Sequence, residues 1–234
     1  MPALLGAQPA VMNTGAAGYL ERGKLMYESR NYVGAIDQLS HLGQLPADAQ
    51  AREEADYYIA LSKMERDERD ALETLVAFTR NYPSSQYIQD VTMRIGNYYF
   101  YKGDYGEALV AFSRVRDHAL DGDLNEDLLY RMAYCDLQLG NYSDARGLYA
   151  RLKGTKRYDE ATKFYEAYID YAGKRYDEAY DKFRQVERTG DLGYQSQYYM
   201  CQIDYTRKQY DKVISLGQSL LSDEANAYFE PEIN

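Results

Sequence analysis

The chain has 234 residues, of which 45% are hydrophobic and 27% are charged, a composition typical of a folded rather than a disordered chain. Its formal net charge of −10 disfavours nucleic acid and anionic lipid as partners, because both attract basic surfaces. Two cysteines are too few for a disulfide framework, and no apolar run approaches the roughly 18 residues of a membrane span.

The N-terminal segment, residues 1–15, begins with the apolar and uncharged stretch MPALLGAQPA. Residues 1–7 end in small side chains, as the apolar region of a secretory signal peptide does, but the basic start of such a signal is missing. Two interpretations remain open for this segment: an N-terminal tail or the remnant of a signal peptide.

Six related segments follow, of which YKGDYGEALVAF (101–112) is the clearest example. Each contains an anchor residue, and the anchors recur at intervals of about 34 to 37 residues. Apolar residues three and four apart on both sides of a turn predict a pair of helices in each unit. A second small residue about twelve positions earlier lets the two helices approach closely. The anchors are Ala35, Ala71, Ala108, Ala145, Ala179 and Val213, and the earlier small residues are Gly23, Gly96, Ala133, Ala167 and Cys201.

The turns within the units have their own pattern. Gly103 and Gly140 predict a turn that needs positive φ. Tyrosines three positions before the anchors are expected to pack the second helix on the first; they are Tyr32, Tyr105, Tyr142, Tyr176 and Tyr210. Cys135 and Cys201 lie two repeats apart, beyond disulfide reach, and are interpreted as small core residues.

The unit resembles the tetratricopeptide repeat, which combines Trp, Leu-Gly, Tyr, Ala, Phe and Pro positions at fixed spacing. The third unit departs only at the Trp and Pro positions, where it has Thr92 and Leu120, and the second unit keeps the proline as Pro83. The resemblance covers residues 16–222 and implies an all-α, right-handed superhelical solenoid of six helix–turn–helix repeats. The matching positions of the third unit are Ile95, Gly96, Tyr99, Ala108 and Phe112.

Two stretches resemble repeats of bacterial cell-envelope proteins. FTRNYPSSQY (78–87) is similar to repeats of outer-membrane assembly lipoproteins and their periplasmic relatives. Tyrosine-rich arrays with segments such as EEADYYIALS (53–62) are similar to large Bacteroidetes repeat proteins. These resemblances imply a periplasmic or outer-membrane location, with the cytoplasm as the alternative.

The C-terminal segment, residues 223–234, is interpreted as the start of a further repeat that is truncated. Terminal repeats of a solenoid usually carry a polar cap, and none is recognisable here. We therefore expect the chain to be the N-terminal part of a longer array, and self-association through the uncapped C-terminal face remains open.

The resemblance also implies a binding surface, because the first helices of such repeats line the inner, concave face. Positions one helical turn from the small residues would face a partner there. From the third unit onward they form an aromatic row, which predicts a groove for an extended or helical peptide. The alternative is that these tyrosines fill the seams between repeats. The predicted partner-binding residues are Asn97, Phe100, Tyr101, Tyr130, Tyr134, Phe164, Tyr168, Tyr171, Tyr198 and Tyr205.

Chaperone-binding members of the family grip a terminal carboxylate with Lys, Asn and Arg on these helices. Only Asn97 matches, since Met93 and Tyr134 occupy the neighbouring positions, so no such clamp is predicted.

Metal and catalytic motifs are missing from the sequence. DGDLNEDL (121–128) alternates acidic residues like a calcium loop, but Glu126 replaces the required glycine and Met132 the final glutamate. We expect a solvated loop there that caps the next helix. The sequence contains no P-loop, nucleophile elbow or GxGxxG, and His41 and His118 stand alone, so we expect neither an enzyme nor a cofactor.

The predicted function is a non-catalytic scaffold that binds a protein or peptide in bacterial envelope assembly or organisation. A glycan-binding component of an outer-membrane sugar-capture system is the alternative, because tyrosine faces stack on sugars. The lack of tryptophan weighs against it.

Overall fold

The computed structural model describes residues 15–116 and 122–222, which form twelve α-helices and no β-strand. The all-α helical repeat fold expected from the sequence is therefore confirmed. Apart from Gly15, the segments 1–15 and 223–234 interpreted above lie outside the described residues. The helices are α1 (Ala16–Glu28), α2 (Tyr32–Leu42), α3 (Ala49–Glu65), α4 (Ala71–Asn81), α5 (Ile88–Lys102), α6 (Tyr105–Arg116), α7 (Gly122–Gln138), α8 (Tyr142–Leu152), α9 (Asp159–Ala172), α10 (Tyr176–Phe183), α11 (Gly190–Thr206) and α12 (Tyr210–Ser222).

The described residues divide into two compact units. The first unit contains residues 15–102 and 110–116. In it, α1 packs on α2 and α3, α3 on α4, and α4 on α5. Its buried apolar side chains form two clusters along the stack. One contains Ala35, Leu39, Leu42 and Ala55, and the other contains Ala60, Leu75, Phe78, Val91, Ile95 and Ala111.

The second unit contains residues 103–109 and 122–222. Each helix from α7 to α12 packs on the next one along the chain, and α9 also packs on α11. First helices of neighbouring repeats therefore contact each other, as a repeat stack requires. The buried cluster at this end contains Phe164, Ala167, Ala179, Phe183, Val186 and Ile203.

Small residues allow the helices of a pair to touch. A Cβ at Gly23 would lie 2.4 Å from Leu39 Cγ, and one at Gly96 would lie 2.4 Å from Phe112 Cε1. Because such distances are shorter than van der Waals contact, these positions cannot hold a side chain without moving a core residue. The anchors Ala35, Ala108 and the later alanines are buried as well.

The turn inside each unit has one recurring conformation. Gly103 and Gly140 adopt φ of 78° and 79°, as predicted, and Lys174 and Lys208 occupy the same repeat position with φ of 59°. The Lys174 N–H donates to the Tyr171 carbonyl oxygen at 2.9 Å, so the left-handed residue closes the end of the first helix.

The tyrosines that precede the anchors begin the second helices. Tyr32, Tyr105, Tyr142, Tyr176 and Tyr210 are the first residues of α2, α6, α8, α10 and α12. Tyr32, Tyr176 and Tyr210 contact the first helix of their own unit across the turn, with ring centroids 5.6 Å from Tyr27, 5.8 Å from Tyr171 and 5.9 Å from Tyr205, respectively.

Replacing Lys174 with glycine should stabilise the protein. A left-handed conformation costs a non-glycine residue about 1 kcal/mol, and the extra freedom of glycine in the unfolded chain offsets part of that gain. We expect a net gain of about 0.5 kcal/mol, seen as a rise of about 1–2 °C in Tm by circular dichroism. The matched control is Gly140→Ala at the same repeat position, which should lower Tm. A lower Tm for Lys174→Gly would contradict this account.

One expectation for the fold was wrong. The segment predicted as a solvated acidic loop is the start of α7, which begins at Gly122, so Asp123 and Asp127 lie in its first turns. Acidic residues are favourable at a helix N-terminus, where they offset the helix dipole, and the alternating pattern has this simpler explanation. Cys135 is buried and Cys201 is partly buried, and both are free thiols.

Candidate protein-binding surface

Three predicted partner-binding residues lie on α5 in the first unit. Tyr101 is 74% exposed. Phe100 is half-buried, with its ring centroid 5.7 Å from that of Tyr101 and 6.4 Å from that of Phe112. The Asn97 Oδ1 atom is buried and accepts no hydrogen bond from the described residues. Tyr101 is therefore the member of this group with a large exposed surface.

In the second unit, two predicted residues on α7 belong to a group of packed rings that we call the α7 tyrosine cluster. Tyr130 stacks on Tyr158 with centroids 4.5 Å apart, and Tyr134 meets Tyr165 edge-on at 5.7 Å. Both Tyr130 and Tyr134 are half-buried. Part of each ring is therefore covered by a neighbouring ring, and the remainder is exposed to solvent. The cluster consists of Tyr105, Tyr130, Tyr134, Tyr149, Tyr158 and Tyr165.

Four further residues lie on α9 and α11. The Tyr168, Tyr171 and Tyr198 rings all contact Tyr199, with centroids 5.4, 4.9 and 5.6 Å away. They are half-buried, whereas Tyr205 is 60% exposed and contacts the Tyr210 ring at 5.9 Å. These tyrosines thus combine the two predicted roles, filling seams and binding a partner, because each ring packs on a neighbour and still leaves area for a partner.

Phe164 differs from its prediction. Its side chain is 2% exposed and packs against Phe183, with ring centroids 5.7 Å apart. It lies three positions before the small residue Ala167 and belongs to the core between α9 and α10. A partner on the surface cannot reach it, so Phe164 is not part of the candidate protein-binding surface.

Two hydroxyls of the α7 tyrosine cluster, those of Tyr158 and Tyr134, have a raised pKa. Tyr158 donates to Asp127 Oδ1 at 2.6 Å, and burial together with that hydrogen bond raises the pKa of Tyr158 to about 12. Burial, followed by the nearby Tyr105, also raises the pKa of Tyr134. Since these groups keep their protons at neutral pH, they act as hydrogen-bond donors and apolar surfaces rather than as nucleophiles.

Sequence reasoning missed a buried carboxylate on α9. The Asp170 side chain is 3% exposed and accepts hydrogen bonds from Arg146 at 2.6 Å, Arg175 at 2.5 Å and Lys182 at 2.5 Å. Burial alone would raise the pKa of Asp170, but the hydrogen bonds from Lys182, Arg146 and Arg175 lower it to about 2. This carboxylate is therefore ionised across the physiological range and joins α8, α9 and α10.

The same repeat position carries Asp in the last three units, and this spacing was the available signal. Asp136, Asp170 and Asp204 each lie nine positions before an anchor, and all three are buried. Only Asp170 is surrounded by cations. Asp136 accepts one hydrogen bond, from Asn141 Nδ2 at 3.1 Å, and burial raises its pKa.

Within residues 15–116 and 122–222, no three His, Cys, Asp or Glu side chains come together as a metal ion would need. Among the helices described above, none combines the length and the apolar character that crossing a membrane requires.

Comparisons with known proteins identify the repeats. Residues 54–85 and 99–157 match two family models of the tetratricopeptide repeat. The segments 54–85 and 99–157 are thus tetratricopeptide repeats, and the described residues have an all-α helical repeat fold. No curated protein has significant sequence similarity to it.

Solved structures share the fold at low sequence identity. A tetratricopeptide repeat protein from Parabacteroides merdae aligns with a TM-score of 0.62 and 12% identity, over 93% of this chain and 85% of its own. PilF of Pseudomonas aeruginosa aligns with a TM-score of 0.56 and 14% identity, over 93% and 97%. A MamA variant aligns with a TM-score of 0.58 and 16% identity, over 74% and 91%. These similarities concern the fold alone.

Proposed function

We propose that this chain is a non-catalytic scaffold that binds a protein or peptide through the tyrosines on its first helices. The observation that carries the proposal is the set of half-exposed rings on α7, α9 and α11 in the second unit. Tyr134, Tyr168 and Tyr198 each pack one side on a neighbouring ring, so their conformations are set before a partner arrives. Binding to such rings loses little conformational entropy, and tyrosine is enriched among interface residues that dominate affinity.

The charge of the chain favours a particular kind of partner. With a formal net charge of −10, the protein attracts segments that are neutral or basic where they dock. The tyrosine hydroxyls add donors that orient a peptide backbone or a carboxamide group.

We place this scaffold in the bacterial cell envelope, in the periplasm or at the outer membrane. The support is the resemblance of residues 78–87 to envelope repeat proteins, together with the bacterial sources of two similar structures, from Parabacteroides and Pseudomonas. Fractionation of a bacterium that expresses the chain from its own gene tests this location. We expect the protein with the envelope fraction, and recovery from the cytosol alone would contradict it.

Affinity capture tests the binding function. The immobilised protein should retain a specific partner from an envelope extract, and purified partner should bind at least about tenfold more weakly to a Tyr168→Ala, Tyr205→Ala variant. The matched control is Tyr142→Ala, which removes a partly exposed tyrosine at the start of a second helix and should bind normally. Circular dichroism verifies that the variants are folded. Saturable binding of envelope polysaccharide without any protein partner would instead support the glycan alternative.

A further inference from the structure

A pocket of about 320 Å³ opens in the first unit, away from the tyrosines discussed above. It lies among the end of α4, the beginning of α5 and the second half of α6. Its floor is apolar and well packed, formed in part by Ile95, Ala111 and Val115. None of the predicted partner-binding residues lines it, so it is a separate site.

The pocket exists because residue 111 is small. Ala111 lies three positions after the anchor Ala108, and the other units have Gln38, Thr74, Leu148, Lys182 and Leu216 at that position. In the second unit Leu216 lines a cavity of only about 100 Å³. A single alanine thus turns a narrow groove between repeats into a pocket large enough to receive a side chain.

The rim of this pocket is basic although the chain is acidic. Arg80 and Arg114 both line it and are exposed, and none of the described residues that line it is Asp or Glu. Within residues 15–116 and 122–222, Arg80 takes part in no ion pair. Arginine side chains bind carboxylates in two-pronged geometry, so this rim favours an anionic ligand.

We infer that the pocket binds an acidic peptide segment of a partner protein. An apolar side chain of that segment inserts over Ala111, and a carboxylate beside it pairs with Arg80. The volume, near the lower end of the roughly 300–1,000 Å³ of ligand pockets, suits one inserted side chain rather than a large cofactor. The protein therefore has a second docking site, and its charge preference is opposite to that of the tyrosine surface.

A titration followed by two-dimensional amide NMR of the whole labelled chain tests this inference. The probe is an end-capped synthetic peptide with one phenylalanine flanked by two glutamates on each side, and the control peptide has lysine in place of every glutamate. We expect saturable shifts for amides around Arg80, Thr92 and Ala111 with the acidic peptide, and none with the basic one.

Variants then separate the two parts of the site. Ala111→Leu, which fills the pocket, and Arg80→Glu, which reverses one rim charge on the surface, should each weaken peptide binding by at least about tenfold. Arg151→Glu, an exposed charge reversal on α8, is the matched control and should change affinity by less than about twofold. The Tyr168→Ala, Tyr205→Ala variant should bind the peptide normally, which distinguishes this site from the proposed tyrosine surface. The inference is wrong if the acidic peptide gives no saturable shifts, if both peptides bind alike, or if Ala111→Leu and Arg80→Glu bind like the unmodified protein.

Discussion

Tyr149→Ala should destabilise the protein by about 4 kcal/mol, the largest effect that we expect from a single substitution. Tyr149 on α8 is fully buried and stacks on Tyr165 with ring centroids 5.2 Å apart. Removing the ring leaves a cavity inside the α7 tyrosine cluster and withdraws support from Tyr130, whose centroid is 6.3 Å away. Urea unfolding followed by far-ultraviolet circular dichroism measures the loss.

Tyr149→Phe is the matched control and should have the opposite sign. The Tyr149 hydroxyl is buried and has no hydrogen-bond partner among the described residues. A buried polar group without a partner costs about 1–3 kcal/mol, so phenylalanine should raise stability by about 1 kcal/mol while keeping the ring contacts. If Tyr149→Phe proves clearly destabilising, the hydroxyl must be bonded and this explanation fails.

Asp170→Asn should cost about 2 kcal/mol at neutral pH, the second largest effect. The substitution keeps the size of the side chain but removes the charge that three cations surround. Because folding lowers the pKa of Asp170 from 3.8 to about 2, its stabilisation is complete above pH 4 and is lost as the pH falls toward 2. Thermal unfolding across this range should show the difference between the two proteins shrinking from a Tm gap of roughly 5 °C to nearly none.

Asp136→Asn at the same repeat position provides the control. Burial raises the pKa of Asp136, so its ionised form is disfavoured in the folded protein. The folded protein therefore gains stability when Asp136 is protonated. The asparagine variant should therefore be as stable as the unmodified protein or slightly more so at neutral pH, and any advantage should fade as the pH falls. Equal losses for Asp136→Asn and Asp170→Asn would show that hydrogen bonding rather than charge decides stability at this position.

The fold could be predicted from the sequence because the residues that determine the packing of each repeat lie within that repeat. The interval between anchors, the small residues such as Gly23 and Gly96, and the turn glycines Gly103 and Gly140 each have a local physical reason. Such reasons do not depend on distant parts of the chain, so they are visible in one sequence.

The candidate surface could be predicted only in part, because exposure depends on neighbours that are distant in sequence. Phe164 has the same spacing from its small residue as Tyr130 and Tyr198 do, yet Phe183 and Tyr199 cover it. The cations around Asp170 come from α8, from the turn between α9 and α10, and from α10, and only the fold brings them together. The Ala111 pocket likewise arises where one unit has a smaller side chain than the other units at the same repeat position, and this difference becomes apparent only when the units are compared.

Asp170 has a consequence for how the second unit melts. In a repeat array, stability is the sum of the intrinsic stability of each repeat and a coupling term between nearest neighbours. Asp170 contributes to that coupling through Arg146, which belongs to the preceding repeat, and its contribution can be titrated. Acid therefore lowers the cooperativity of unfolding as well as the total stability. Below about pH 4 the contact that couples the helix pair α7–α8 to the helices that follow it is weakened, so the two parts unfold less cooperatively.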